Sequence, residues 1–96
     1  MVKITNKIAK EMSKIFKINH RVIPFDEWKR ALIIELEHGK KYGMLTNVTN
    51  DDIYKTCQIA VAHLIEDPRY YFFLEQMELK REEYWNQNKK PEIFKK

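Results

Sequence analysis

The sequence predicts an all-α protein, a compact bundle of about four helices with no sheet. Three observations carry that prediction. Only two glycines and three prolines occur in 96 residues, so tight turns are few. Lys, Glu, Ile and Leu are abundant, a balance that favours helices over strands. Apolar residues recur at helical rather than alternating spacing in four successive segments.

The first segment spans about Ile4 to Ile18, with Ile4, Ile8, Met12, Ile15 and Phe16 as its apolar stripe. Lys3, Lys7, Lys10, Lys14 and Lys17 repeat every three or four positions on the side opposite the isoleucines. This reads as a basic amphipathic helix. Its lysines are candidate residues for docking on nucleic acid, a membrane face or a protein partner, set against the ordinary reading of a solvated face over a core stripe. Asn19 is expected to cap this helix. Residues 19–24 form a connector closed by Pro24, with Val22 and Ile23 extended and partly buried.

Asp26 offers an N-cap for the second helix, with Glu27 in its first turn. That helix buries Trp28, Ala31, Leu32 and Leu36, widened by Ile33. Three successive large aliphatics, Leu32 to Ile34, make it the central helix. Glu35 falls on the edge of its apolar face and needs a partner or a route to water. Gly39 suits the position after the helix end.

Residues 42–48 form a loop. Thr49 is then expected to cap the third helix in a box with Asp52, and Val48 with Ile53 to form a hydrophobic staple. The third helix buries Ile53, Cys57, Ala60, Val61 and Leu64, and its small Cys57 and Ala60 invite close approach by another helix. Glu66-Asp67-Pro68 ends it and starts the fourth, with Asp67 as cap and Pro68 in the first turn, so the two helices meet at a sharp corner. Tyr70, Phe73, Leu74 and Met77 form the fourth stripe. Residues 87–96 read as a flexible tail in which Ile93 and Phe94 could dock. The chain thus divides into a basic helix and connector (1–24), a core (25–78) and a tail (87–96) within one domain, 1–96.

Composition removes several function classes. The chain has room for one modest core, not for a deep enclosed active site. Cys57 is the lone cysteine, so no internal disulfide forms and a reducing interior suits the protein. No apolar run approaches the roughly 20 residues of a membrane span, and lysines interrupt the N-terminus where a signal peptide would be apolar. The expected location is therefore intracellular, host cytoplasm or virion if viral, and not secreted. The net charge of +4 is uneven. Residues 1–48 carry ten Lys/Arg against five Asp/Glu, and residues 49–96 carry eight against nine.

Histidine and carboxylate at helical spacing supply the one pattern suggestive of chemistry. Glu35 and His38 share a face at the end of the second helix, as do His63 and Glu66 at the end of the third. Such pairs on facing helices can hold metal, with Glu75, Glu78 or Glu11 as further ligands. Yet the second pair has the reverse order and both lie at helix ends, where capping and dipole effects explain them. Glu35, His38, His63 and Glu66 stay metal candidates only, and the expectation is no metal and no cofactor. There is no nucleophile elbow, no phosphate loop, and no exposed thiol. No catalytic residue and no small-molecule substrate are assigned.

The blocks Glu35-Leu36-Glu37-His38-Gly39, Thr46-Asn47-Val48-Thr49-x-Asp51-Asp52 and Ile59-Ala60-x-Ala62-His63-Leu64-x-Glu66-Asp67-Pro68-x-Tyr70-Tyr71-x-x-Leu74-Glu75-x-Met77-Glu78 resemble the domain-of-unknown-function family numbered 5661. That family is found notably in large DNA viruses and phages. The resemblance runs from about Phe25 to Glu78. It departs at Cys57-Gln58, where the family usually has Gly-Lys. It implies that the helix junctions matter to the fold, brings no activity with it, and adds a viral or phage-like origin as one possibility. The expected function is a small non-enzymatic structural or protein-interaction module with a protein partner or self-association. The alternative is a nucleic-acid-binding accessory protein that uses the five lysines, and a metal-binding helical protein stands third.

Overall fold

Burial of Trp28 sets the relation of the first two helices. In the computed structural model, which describes residues 3–95, its side chain is fully enclosed and its indole Nε1 donates to the Ala9 carbonyl at 2.9 Å. The outermost residues of the expected basic segment and tail (Met1, Val2 and Lys96) lie outside the described residues. The helices are α1 (Asn6–Ile15), α2 (Phe25–Glu35), α3 (Ile53–Glu66) and α4 (Tyr70–Gln87). Two single 3-10 turns, Leu36–His38 and Lys40–Tyr42, follow α2. The described residues contain no strand, and none of their helices is long and apolar enough to cross a membrane. An all-α bundle of four helices is therefore the fold.

α1 is shorter than its periodicity predicts. Thr5 caps it, its hydroxyl accepting from the Ile8 amide at 3.1 Å. The chain then turns off at Lys17, which adopts φ 55°. The Ile18 amide donates to Ser13 O at 2.9 Å and the Lys17 amide to Lys14 O at 3.2 Å, the paired bonds of a Schellman motif. Asn19, the expected cap, lies beyond this and accepts from the Arg21 amide instead. Ile15 consequently points outward, while Ile4, Ala9 and Met12 enter the core.

α2 begins one residue before the expected cap. Pro24 stands at its N-cap, and Asp26 and Glu27 both occupy the first turn, where their charges oppose the positive end of the helix dipole. Trp28, Ala31 and Leu32 are buried as the pattern requires, but Ile33 is half exposed. Val22, expected to be partly buried, is exposed. α2 packs on α1 and on the Cys57–Ala60 face of α3, where small side chains permit the approach.

The start of α3 corrects the sequence reading by three residues. Asp52 caps it, accepting from the Lys55 amide at 2.8 Å. Thr49 is committed elsewhere. Its amide donates to His38 O at 3.0 Å, and its hydroxyl is buried without a hydrogen-bond partner. Asn50 and Asp51 then take positive φ, 52° and 59°, to bring the chain round to Asp52. Val48 is 71% exposed, so it forms no staple with Ile53.

The corner between α3 and α4 forms at Asp67, whose carboxylate accepts from the Arg69 amide at 2.8 Å and whose carbonyl accepts from Tyr70 at 2.9 Å. α4 therefore starts at Tyr70, and Pro68 precedes it rather than opening it. The inward face is also rotated from expectation. Tyr71 is the buried residue, Tyr70 and Leu74 are half-buried, and Phe73 and Met77 are each 51% exposed. Arg30 fastens α4 to α2 by contacting Glu75, and it also meets Glu27.

Lys17 bears a side chain in a region that favours glycine. Lys17→Gly is expected to raise the unfolding free energy by up to about 1 kcal/mol in urea titration. Lys17→Val is expected to lower it, because a β-branched residue fits that region worst.

Candidate functional site

The two glutamate–histidine pairs that the sequence presents separately converge on one carboxylate. Glu35, at the end of α2, is only 4% exposed. Its Oε1 lies 3.5 Å from His38 Nε2 and its Oε2 lies 3.6 Å from His63 Nε2. The Tyr71 hydroxyl donates to Oε2 at 3.1 Å. On the far side of the His63 ring, Nδ1 lies 3.7 Å from Glu66 Oε2. The histidine contacts are at ion-pair rather than hydrogen-bond distance, so Tyr71 makes the one short bond to the carboxylate.

Each partner is placed by local structure. Glu35 and His38 are one helical turn apart, and the 3-10 turn after α2 keeps them on one side. The His38 carbonyl accepts the amides of Val48 and Thr49 at 2.6 and 3.0 Å, which fixes the turn against the loop. Next to it, Gly39 is required by close approach. A Cβ there would fall 1.9 Å from Asp51 Oδ1, which accepts the Lys40 amide at 2.9 Å. His63 is held by aromatic contact. Its ring stacks on Tyr70 with centroids 4.1 Å apart and an interplanar angle of 7°, and meets the edge of Tyr71 at 6.3 Å.

Burial raises the Tyr71 phenol well above the usual tyrosine range, and the Glu35 charge and its hydrogen bond add to the shift. Tyr71 is thus a fixed donor at ordinary pH. Tyr70 is raised for the same first reason, with Glu35 and Glu66 adding to it. Cys57, buried in the core, is pushed up to about 12 by desolvation alone, which makes it a packing residue and not a nucleophile.

This constellation draws α2, α3 and α4 together through one acid. Among the described residues no group of three or more His, Cys, Asp or Glu is arranged to hold a metal ion. Glu35 lies within 4 Å of His38 and His63, and His63 within 4 Å of Glu66, while Glu75 is engaged by Arg30 and Glu78 by Arg81. Sequence reasoning missed Tyr71 as the principal partner. Its position one turn before Leu74 and Glu75 carries the signal, but periodicity alone fits a stripe through Phe73 equally well.

The lysine row is only partly helical. Lys7, Lys10 and Lys14 lie exposed on α1, Lys3 precedes the helix and Lys17 follows its end. The Lys29 amine donates to Asn6 Oδ1 at 2.8 Å, which brings a further cation to the start of α1.

Removing one partner from the buried Tyr71–Glu35 pair leaves the other desolvated and without that short hydrogen bond. Tyr71→Phe is expected to cost about 1.5–3 kcal/mol in urea unfolding. Glu35→Leu combined with Tyr71→Phe should cost less than the two single changes summed. The pH dependence has a definite sign. Tyr71 and Cys57 have folded-state values above their unfolded ones of 10.0 and 9.0, so their stabilisation is complete at neutral pH and is lost as pH rises beyond those values. Unfolding free energy should fall above about pH 9–10, less steeply in Tyr71→Phe.

Searches of curated proteins and of solved structures gave no match. A family match does exist, and it covers residues 3–80, so α1 falls within it, whereas the resemblance in the sequence blocks began only near Phe25. With that extent matched, the chain belongs to the family described as Protein of unknown function (DUF5661).

Proposed function

We propose that this protein is a small non-enzymatic interaction module whose α4 docks on a protein partner. The carrying observation is the exposure of apolar side chains along that helix. Of its eighteen residues only Tyr71 is buried. Phe73, Met77 and Tyr84 share one stripe at helical spacing and all are more than half exposed. A groove of about 240 Å³ runs beside it, lined by Asp67, Tyr70, Phe73, Leu74 and Met77. Paired large apolar residues at i and i+4 beside a groove are the anchors with which helices commonly engage protein surfaces. Exposed apolar area of this kind is unusual on a solitary soluble domain. The reading sets the protein inside a cell or virion, where a lone thiol needs no disulfide partner.

Phe73→Glu with Met77→Lys should change unfolding free energy by no more than about 1 kcal/mol, because both side chains are half exposed. The same variant should lose at least about tenfold in partner binding. Affinity capture from the native source, wild type against variant, measures this. Recovery of the same proteins by a folded variant would end the α4 reading, and light scattering of the pure protein tests a second copy as the partner.

The alternative is nucleic-acid binding by α1 as a basic amphipathic helix. It is favoured by the exposed Lys7, Lys10 and Lys14 above buried Ala9 and Met12. Gel shifts at graded salt decide it. Three phosphate contacts should give a log–log salt slope of about −2 to −3. Lys7→Glu with Lys14→Glu should abolish the shift, and binding that survives this change would remove the lysine row from the site.

A further inference from the structure

A second feature, independent of the exposed stripe of α4, lies along α2. A cleft of about 530 Å³ opens between the segment ahead of α1, the outer side of α2 and the turn that follows it. Ile4, Ile33 and Leu36 supply its apolar surface, and Lys3, Lys29 and Lys41 supply cations. Asp51 is the one acid in the lining, and its Oδ1 accepts the Lys40 amide. The Lys29 amine is steadied by its bond to Asn6 Oδ1. Ile33 is the notable member. It sits mid-helix between buried Leu32 and half-buried Ile34, yet it is half exposed, and its exposed side lines this cleft.

We propose that the cleft binds an anionic amphiphile, a molecule with an alkyl chain and a carboxylate or phosphate head. The chain lies over Ile4, Ile33 and Leu36, and the head meets Lys3, Lys29 and Lys41. Three features select that class. The volume lies in the range of small-molecule sites, about 300–1,000 Å³. The apolar part of the lining is aliphatic throughout, with no aromatic ring to stack a base, which suits an alkyl chain better than a nucleotide. Three cations against one engaged acid favour a negative head over a neutral or positive one. Lysine suits this position because its stem covers apolar surface while its amine stays in water.

The test is an NMR titration of the full chain with decanoate below its micelle concentration, read at the isoleucine and leucine methyl groups. The expected result is saturable one-to-one binding with shifts at Ile4, Ile33 and Leu36. Ile33→Asp should weaken it by at least about tenfold, and this exposed position should leave the helical circular dichroism unchanged. Lys29→Gln with Lys41→Gln should weaken it several-fold, while Lys10→Gln should not. Decanol should bind at least several-fold more weakly than decanoate, and inorganic phosphate should give no saturable shift at these methyls. Absence of saturable decanoate binding would overturn the proposal. So would binding that a folded Ile33→Asp protein retains, or equal affinity for decanol. Co-sedimentation with phosphatidylcholine vesicles containing phosphatidylserine, lost in Ile33→Asp, identifies a bilayer lipid as the source of the head group. Decanoate binding without co-sedimentation identifies a free amphiphile.

Discussion

One buried acid constrains how this chain can fold. Glu35 sits where α2 gives way to its 3-10 turn, and an enclosed carboxylate is costly unless groups are brought to it. Those groups come from three places, His38 on the following turn, His63 on α3 and Tyr71 on α4. Each contact depends on the helix that delivers it, so the carboxylate reports whether α3 and α4 are seated. Apolar burial drives collapse, but Leu32, Ala60 or Leu64 would accept many neighbours. The acid accepts few, and that selectivity is how a polar node can define one arrangement of helices in a small core.

The helices themselves were legible from the sequence because periodicity and breakers agree. Pro24, Gly39 and Pro68 fall at or beside junctions. Trp28, Ala31 and Leu32 of α2 and Cys57, Ala60 and Leu64 of α3 are buried as their stripes require, whereas Ile53 and Val61 are only half-buried and Thr56 takes an inward place outside the stripe. The helix ends were less legible for a physical reason. Thr49-Asn50-Asp51-Asp52 offers several capable capping side chains in succession, and local chemistry does not choose among them. The choice is made at a distance, where the His38 carbonyl claims the Thr49 amide and the Lys40 amide claims Asp51, leaving Asp52 for α3. A similar cause shifted α4. Its first five residues, Tyr70 to Leu74, are all aromatic or aliphatic, so the inward face could not be read from the helix alone. Pairing of Tyr71 with Glu35 fixes it. The site residues Glu35, His38, His63 and Glu66 were recognised by type and spacing, but not that one carboxylate serves both histidines, which is a fact of packing.

The surface divides by chemistry. α1 offers amines, α4 offers aromatic and thioether side chains, and the outer side of α2 combines aliphatic surface with amines. The Glu35 node joins α2 and α4, which carry two of these surfaces, with α3. A protein of this size can present three distinct surfaces because its core is thin. Trp28 and Tyr71 are its largest buried side chains, and every helix keeps exposed residues along one side.

The loop between Tyr42 and Val48 has a practical consequence. Its base is closed on both sides by the bonds to His38 O and from the Lys40 amide to Asp51. Its apex carries Met44 and Leu45 at 94% and 85% exposure, and Gly43, at φ 86°, faces open space. Doubling the length of a flexible loop costs only about 0.6 kcal/mol when its ends are already held. The Met44–Leu45 bond is therefore a natural place to insert a peptide label or fluorophore, far from the apolar stripe of α4 in sequence and outside the packed interior.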